Sequence, residues 1–210
     1  MTELGQNILV VDSTVNQRAK YVVPAINPTL KYITEFEGID IAVGFSNIED
    51  IKNYLSLSEN QDLEYDYMLV DTDKVEGFEQ YNLKSADKNF FVTSFDGYSL
   101  KKGLEILCEL KEVISLTKIL FSEYILKEED DYLNFLSLGY KIIWNEYKIY
   151  FPIENGDLSV IYENQRVAKI KFKKLSVQYK DSMVDVVTGI LSNVSEGKVR
   201  KAIKNIEKGV

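Results

Sequence analysis

Histidine is missing from the 210 residues, and cysteine occurs once, at Cys108. Without histidine there is no Ser-His-Asp or Cys-His nucleophile, no imidazole metal site and no ordinary proton shuttle near neutral pH. One cysteine makes neither an internal disulfide nor a thiolate metal cluster. Its place between Leu107 and Leu110 reads as a buried, inert thiol on a helix. Proline is scarce, and no Pro/Gly/Ser-rich tract or internal repeat divides the chain. No run approaches the roughly 18 apolar residues of a membrane span, and Met1–Gln6 lack the basic-then-apolar form of a leader. A cytoplasmic location is expected. Any catalysis is left to carboxylates, Lys, Tyr, Ser, Thr and Cys108.

Acidic residues outnumber basic ones, for a net charge of -8. The excess is uneven: residues 1–160 carry -14 and residues 161–210 carry +6. The body repels polyanions, while the last fifth of the chain could attract a phosphate-rich surface.

What is present is a series of short apolar runs. Asn7–Asp12, Ile39–Gly44, Tyr65–Asp71, Asn89–Ser94 and Thr117–Ser122 each read as a strand buried on both faces. Helical spacing follows several of them. Ile48, Ile51, Tyr54 and Leu55 form one stripe; Leu100, Leu104, Leu107, Leu110 and Val113 form another. Pro24 and Pro28 limit or kink the segment after the first strand. Glu128-Glu129-Asp130-Asp131 opens a further helix at its positive end. Residues 140–151 add strand material, and helices are expected near 175–194 and 197–207. Strands alternating with helices predict an α/β fold: a doubly wound, mostly parallel sheet with helices on both faces. We read one domain over 1–195, followed by a basic amphipathic helix over 196–210.

Ligands of open α/β sheets bind beyond the carboxyl ends of the strands. Asp12, Asp71 and Asp73 lie there, with Asp96 a little further on. A phosphate loop after the first strand needs glycines, so that backbone N–H groups can approach the phosphates, and a lysine to neutralise charge. The segment Asp12-Ser13-Thr14-Val15-Asn16-Gln17-Arg18-Ala19 has neither.

Three segments together resemble the MinD/ParA-type P-loop ATPases, including their pilus-assembly relatives. Tyr65-Asp66-Tyr67-Met68-Leu69-Val70-Asp71-Thr72 is similar to the family's Walker B strand. Ser85–Ser94 followed by Ser99-Leu100 is similar to its next strand and helix. Phe151-Pro152-Ile153-Glu154, Tyr162–Gln165, Leu175-Ser176 and Tyr179 are similar to its distal pattern. The resemblance implies a P-loop-NTPase-like fold and marks Asp71, with Asp73, as a residual Walker B position. Aligning Ile8–Asp12 with the phosphate-loop strand places Val15, Asn16, Gln17 and Arg18 in a degenerate loop, where the glycine, the lysine and the magnesium-binding hydroxyl are replaced. Gly44 and Ser46 then stand at the switch I positions. A second register makes Asn7–Asp12 the family's second strand, with the phosphate-loop strand missing. Both lose the catalytic lysine, and Phe121-Ser122-Glu123 lacks the adenine-reading asparagine.

The implied function is that of a non-catalytic, pseudo-ATPase domain without cofactor or metal, acting through protein contacts on a pilus, secretion or conjugation machine, and able to pair as a homodimer. An active ATPase would have to draw its missing charge from Arg18 or Lys20 and bind ATP and magnesium through the atypical loop. Residues 1–122 also resemble a response-regulator receiver with Asp71 as phosphoacceptor. Asp71 otherwise reads as a strand-end residue capping the next loop. Tyr147, Tyr150 and Phe151 read as packing in a strand. Arg166, Lys169, Lys171, Lys173 and Lys174 form a basic stretch that is either a solvated edge or, as in ParA-type proteins, a DNA contact. Lys198, Arg200, Lys201, Lys204 and Lys208 share the last helix with Val199, Ala202, Ile203 and Ile206. That pattern suits docking on the body or a partner, or, as in MinD-type proteins, contact with the inner face of a membrane.

Overall fold

The opening apolar run becomes β1 (Ile8–Asp12), which is hydrogen-bonded on both sides and buried at four of its five positions. A strand with neighbours left and right and side chains covered above and below has no polar face to show, hence the unbroken run. The computed structural model describes residues 1–23, 31–57, 62–94, 96–122, 129–152 and 154–208. Pro24, Pro28, Glu123, Glu128 and Ile153 lie outside them. The chain forms two compact units, residues 1–83 with 163–170, and residues 84–162 with 171–210.

In the first unit β2 (Tyr32–Phe36) and β3 (Ile39–Val43) form an antiparallel hairpin, and β3 and β4 (Tyr67–Asp71) flank β1 in parallel, for the order β2-β3-β1-β4. The hairpin turns on Glu37 and Gly38, both at positive φ, the backbone that matches the twist of paired strands. Alternation along β1 and β3 splits their side chains between two cores. Leu9, Val11 and Ala42 pack with Phe45, Ile51 and Tyr81 on one face; Ile41 and Val43 pack with Val23 and Phe36 on the other. Helix α1 (Ile48–Tyr54) starts at Asn47, whose side-chain oxygen accepts the Asp50 N–H at 2.8 Å. Helix α2 (Glu76–Gln80) follows β4.

The second unit holds a wholly parallel sheet, β5 (Phe90–Ser94), β6 (Ile114–Ser122) and β7 (Ile142–Pro152), in that order. Helix α3 (Gly97–Cys108) buries Leu100, Leu104 and Leu107. Its Gly103 lies so close to Phe91 that a Cβ there would fall 2.6 Å from the ring. After α4 (Glu129–Leu136), β7 and α5 (Asn155–Val167) come α6 (Val177–Ile190) and α7 (Glu196–Lys208). Tyr179, Met183 and Val186 of α6 cover Ile119, Ile149 and Phe151. The mixed and parallel sheets with their helices make this an α/β fold.

Four expectations need correction. β2 was not foreseen. Helix α3 stops at Cys108, so Val113 is off the stripe and exposed. Cys108 is itself exposed, its thiol donating to the Glu105 carbonyl at 3.0 Å. The aromatic run of β7 is only partly packing: Phe151 is buried, but Tyr147 is more than half exposed. The two runs within 140–151 form one strand, with an irregular step between the Leu116–Trp144 and Lys118–Lys148 pairings. There Asn145 donates to Thr117 Oγ1 at 2.8 Å and accepts from Ser115 Oγ at 2.8 Å.

Candidate functional site

Where β1 ends, its last residue governs the loop. Asp12 is buried, and its Oδ1 accepts from the Thr14 backbone N–H at 3.0 Å and the Thr14 hydroxyl at 2.6 Å. Its Oδ2 accepts from the Ala19 N–H at 2.8 Å. Thr14 Oγ1 in turn accepts from the Gln17 N–H at 3.0 Å. Gln17 takes a left-handed φ of 46° and leads into a 3-10 turn over Arg18–Tyr21. From the loop after β4, Asp73 Oδ1 accepts the Val15 N–H at 2.7 Å, and the Ser13 N–H donates to the Asp71 carbonyl at 2.9 Å.

A loop cradles phosphate by offering bare backbone N–H groups, usually with a cation beside them. Here the N–H groups of Ser13, Thr14, Val15, Gln17 and Ala19 are all bonded within the chain, and three of the five go to the carboxylates of Asp12 and Asp73. Val15 is 69% exposed, and Asn16 and Arg18 are exposed with it. Lys20 lies over the Tyr21 ring, 5.0 Å from its centroid.

Asp71 ends β4 directly opposite Asp12 in the ladder. The surrounding chain, and then the charges of Asp12 and Asp73, push its carboxyl above the usual range, although Asp71 keeps an exposed side. Three carboxylates at the strand ends repel a phosphate chain. Among the described residues no group of three or more His, Cys, Asp or Glu side chains is arranged to hold a metal ion.

The remaining candidates fall elsewhere. After β3, the Ser46 N–H donates to Asp50 Oδ2 at 3.0 Å, and Lys31 holds the same carboxylate at 2.6 Å, lowering its pKa. Asp96 caps α3, accepting from the Tyr98 and Ser99 N–H groups at 3.1 and 2.9 Å and from the Ser94 hydroxyl, which brings its pKa down to about 2. Arg166, Lys169, Lys171, Lys173 and Lys174 are all exposed. The first two belong to the first unit and the other three to the second. In α7, Val199 and Ala202 are buried as the helix packs on α6. Arg200 bridges Glu196 at 2.7 Å and Asp181, and Lys180 meets Glu207 at 2.5 Å. The apolar stripe of the last helix is thus docked on the body. Among the described residues no helix is long and apolar enough to cross a membrane.

Sequence reasoning placed Asp71 and the loop but missed two organisers. Thr14 sets the loop, and its signal was the Asp12-Ser13-Thr14 run at a strand end, a turn-forming pattern. Asp157 organises the distal pattern. Buried at 1% exposure, it accepts from the Ser176 N–H at 2.6 Å, the Ser176 hydroxyl at 2.8 Å and the Glu154 N–H at 3.3 Å. Ser176 caps α6 through the Tyr179 N–H, and Tyr179 meets Phe151 edge-on at 5.1 Å.

No protein-family model and no curated protein matches the sequence. Solved structures do match in fold. A ParA family ATPase from Chlorobium tepidum TLS is 14% identical, with a TM-score of 0.50 over 96% of this chain and 84% of that one. A plasmid partition protein from Borrelia burgdorferi B31, bound to AMPPNP, is 9% identical, with a TM-score of 0.52 over 92% of this chain and 89% of that one. The MinC:MinD cell division protein complex from Aquifex aeolicus matches at 14% identity and a TM-score of 0.52, over 92% of this chain and 86% of that one. The chain has the fold of the MinD/ParA-type P-loop ATPases.

Proposed function

We propose that this chain is a pseudo-ATPase: a domain of MinD/ParA-type fold that has given up nucleotide chemistry and works by protein contact. The single observation that carries the reading is the loop after β1, where the N–H groups of Thr14, Val15 and Ala19 are bonded to the chain's own Asp12 and Asp73. A tethered carboxylate competes at very high effective concentration with any anion from solution. The neighbouring Asp71 adds repulsion.

One structural neighbour is a plasmid partition protein bound to AMPPNP, and another is in complex with MinC. Of these two behaviours, partner binding is the one this chain retains. Its partner is a protein component of a pilus, secretion or conjugation machine, reached in the cytoplasm or at the inner face of the membrane. Lys171, Lys173 and Lys174, exposed in the second unit, supply a surface for an acidic partner or DNA; the two separate by salt, since DNA affinity falls steeply as salt rises.

Calorimetric titration with ATP and magnesium tests the reading. No saturable heat and no phosphate release are expected. Micromolar binding with turnover overturns it, all the more if Arg18→Ala with Lys20→Ala abolishes that turnover.

A further inference from the structure

We propose that the free edge of β4 takes up an extended segment of another protein, apolar on both faces and closed by lysine or arginine. β4 pairs with β1 on one side, and among the described residues no strand lies on its other side. The Tyr67 N–H donates to the Asn7 carbonyl at 3.2 Å, and the Asp71 carbonyl accepts from the Ser13 N–H at 2.9 Å. Backbone groups of successive residues point to opposite sides of a strand, so Tyr67, Leu69 and Asp71 serve β1. The N–H and C=O groups of Met68 and Val70 therefore point to the free edge. Open edges are ordinarily blunted by charge, proline or a bulge. β2, at the far end of the same sheet, turns the exposed Glu35 to water. β7, an edge strand of the second unit, carries Glu146, Lys148, Pro152 and the irregular step. β4 has no such device: Tyr67-Met68-Leu69-Val70 run in unbroken register with β1, and each is only partly buried.

The occupant follows from the two faces of the strand and from its charge. Met68 and Val70 pack on the core formed by Leu9, Val11 and Ile51, while Tyr67 and Leu69 lie on the opposite face. A strand added beside them has apolar neighbours on both faces, so its own side chains are apolar in succession. The carboxyl end differs. Asp71 is exposed there, Asp12 stands opposite it in the ladder, and the charge of Asp73 reaches it. A basic side chain beside Asp71 relieves that repulsion. A second copy offers β4 itself, which ends in an acid and holds no base. The main-chain ladder supplies affinity, and the apolar side chains with the basic residue select the partner. β5, the other edge of the second unit's sheet, shares the apolar run and leaves Val92 58% exposed, but it ends on the neutral Ser94 and so names no charge.

The inference rests on the reading that the chain works through protein contact. Its test uses no nucleotide, so it and the calorimetric titration can fail independently. The synthetic peptide Thr-Val-Ile-Val-Lys-Lys, blocked at both ends, is expected to bind the full-length chain with a Kd of about 100 µM. Its counterpart Thr-Val-Ile-Val-Glu-Glu should bind at least about tenfold more weakly. With the lysine peptide bound, the Met68 and Val70 amides should exchange with solvent at least about tenfold more slowly. Asp71→Lys should reverse the order of the two peptides. Val70→Pro removes an edge donor but no bond to β1, and should weaken binding at least about tenfold with an unchanged circular dichroism spectrum. Where that variant fails to fold, Asp71→Lys carries the test. No binding of the lysine peptide at about 1 mM, equal affinity for the two peptides, or protection at Val92 without Met68 and Val70 overturns the proposal. So does protection of Met68 and Val70 that rises with protein concentration alone, which would seat a second copy on the edge.

Discussion

Asp73 reaches Val15, 58 residues away along the chain, and its Oδ1 accepts the Val15 N–H at 2.7 Å. With Asp12 holding Thr14 and Ala19, this closes the loop after β1 on carboxylates belonging to the protein itself. The two contacts differ in exposure, and so should their removal. Asp12 is buried and accepts three hydrogen bonds, so Asp12→Ala is expected to cost about 2–4 kcal/mol in urea unfolding. The Asp73 contact is open to water. Asp73→Ala should cost at most about 1 kcal/mol while speeding hydrogen exchange of the Val15 amide at least about tenfold. An Asp12→Ala midpoint equal to wild type would show that the loop is held by something else.

Asp71 gives a pH dependence of opposite sign to that of a well-partnered carboxylate. Its pKa is raised in the folded chain, so the native state binds the proton more tightly than the unfolded state does. The charged form therefore opposes folding, and stability falls as pH rises through the ordinary carboxylate range toward the raised folded pKa. Asp71→Asn should raise the thermal midpoint at pH 7, and the gain should vanish below about pH 4, where both states are protonated. Asp96 behaves conversely: its pKa of about 2 in the folded chain makes its contribution present above the unfolded value and lost as pH falls toward 2. A carboxyl titration by NMR that ordered these two the other way round would contradict the geometry.

The readable part of this fold was its apolar runs. β1 and β6 are the strands whose burial on both sides leaves a nearly unbroken run, while β3, β4 and β5 were legible from apolar runs that the fold covers only in part. β2 escaped because Tyr32–Phe36 is only partly covered, with Glu35 turned out to water; its clue was the Glu37-Gly38 turn before Ile39. Cys108 was misplaced because α3 ends there, and the apolar repeat around it did not reveal the stop. At the site, the missing glycines and lysine were visible in sequence, as were Asp71 and Asp73. That Asp73 would tie down Val15 was not, since strand pairing alone brings the two loops together.

The distal pattern depends on Asp157 more than on the residues that first drew notice. Its carboxylate joins the residue before α5 to the cap of α6 through Glu154 and Ser176. Asp157→Ala strands half-buried donors and unties the Ser176 cap, an expected loss of about 2–4 kcal/mol. Ser176→Ala, which keeps the backbone bond, should cost about 1 kcal/mol. Equal losses for the two would assign the whole effect to the cap.

The last helix tests whether its basic face serves a membrane or a neighbour. A helix lying on lipid must spend its apolar stripe on acyl chains. Here Val199 and Ala202 are already buried where α7 packs on α6, and Arg200 ties the same pair of helices together through Asp181. Val199→Asp buries a charge without a partner and should lower stability by about 2–4 kcal/mol or undock the helix. Arg200→Ala should leave the unfolding midpoint nearly unmoved, since an exposed ion pair is screened by solvent. Wild-type protein mixed with vesicles rich in anionic lipid is expected to stay in the supernatant at physiological salt. Val199→Asp should stay there too, because releasing the helix leaves only Ile203 and Ile206 as apolar anchors beside the lost valine. Co-sedimentation of wild type that disappeared on Lys201→Glu with Lys204→Glu would mean that α7 leaves α6 for the lipid, and the docked helix would then be its resting state rather than its working one.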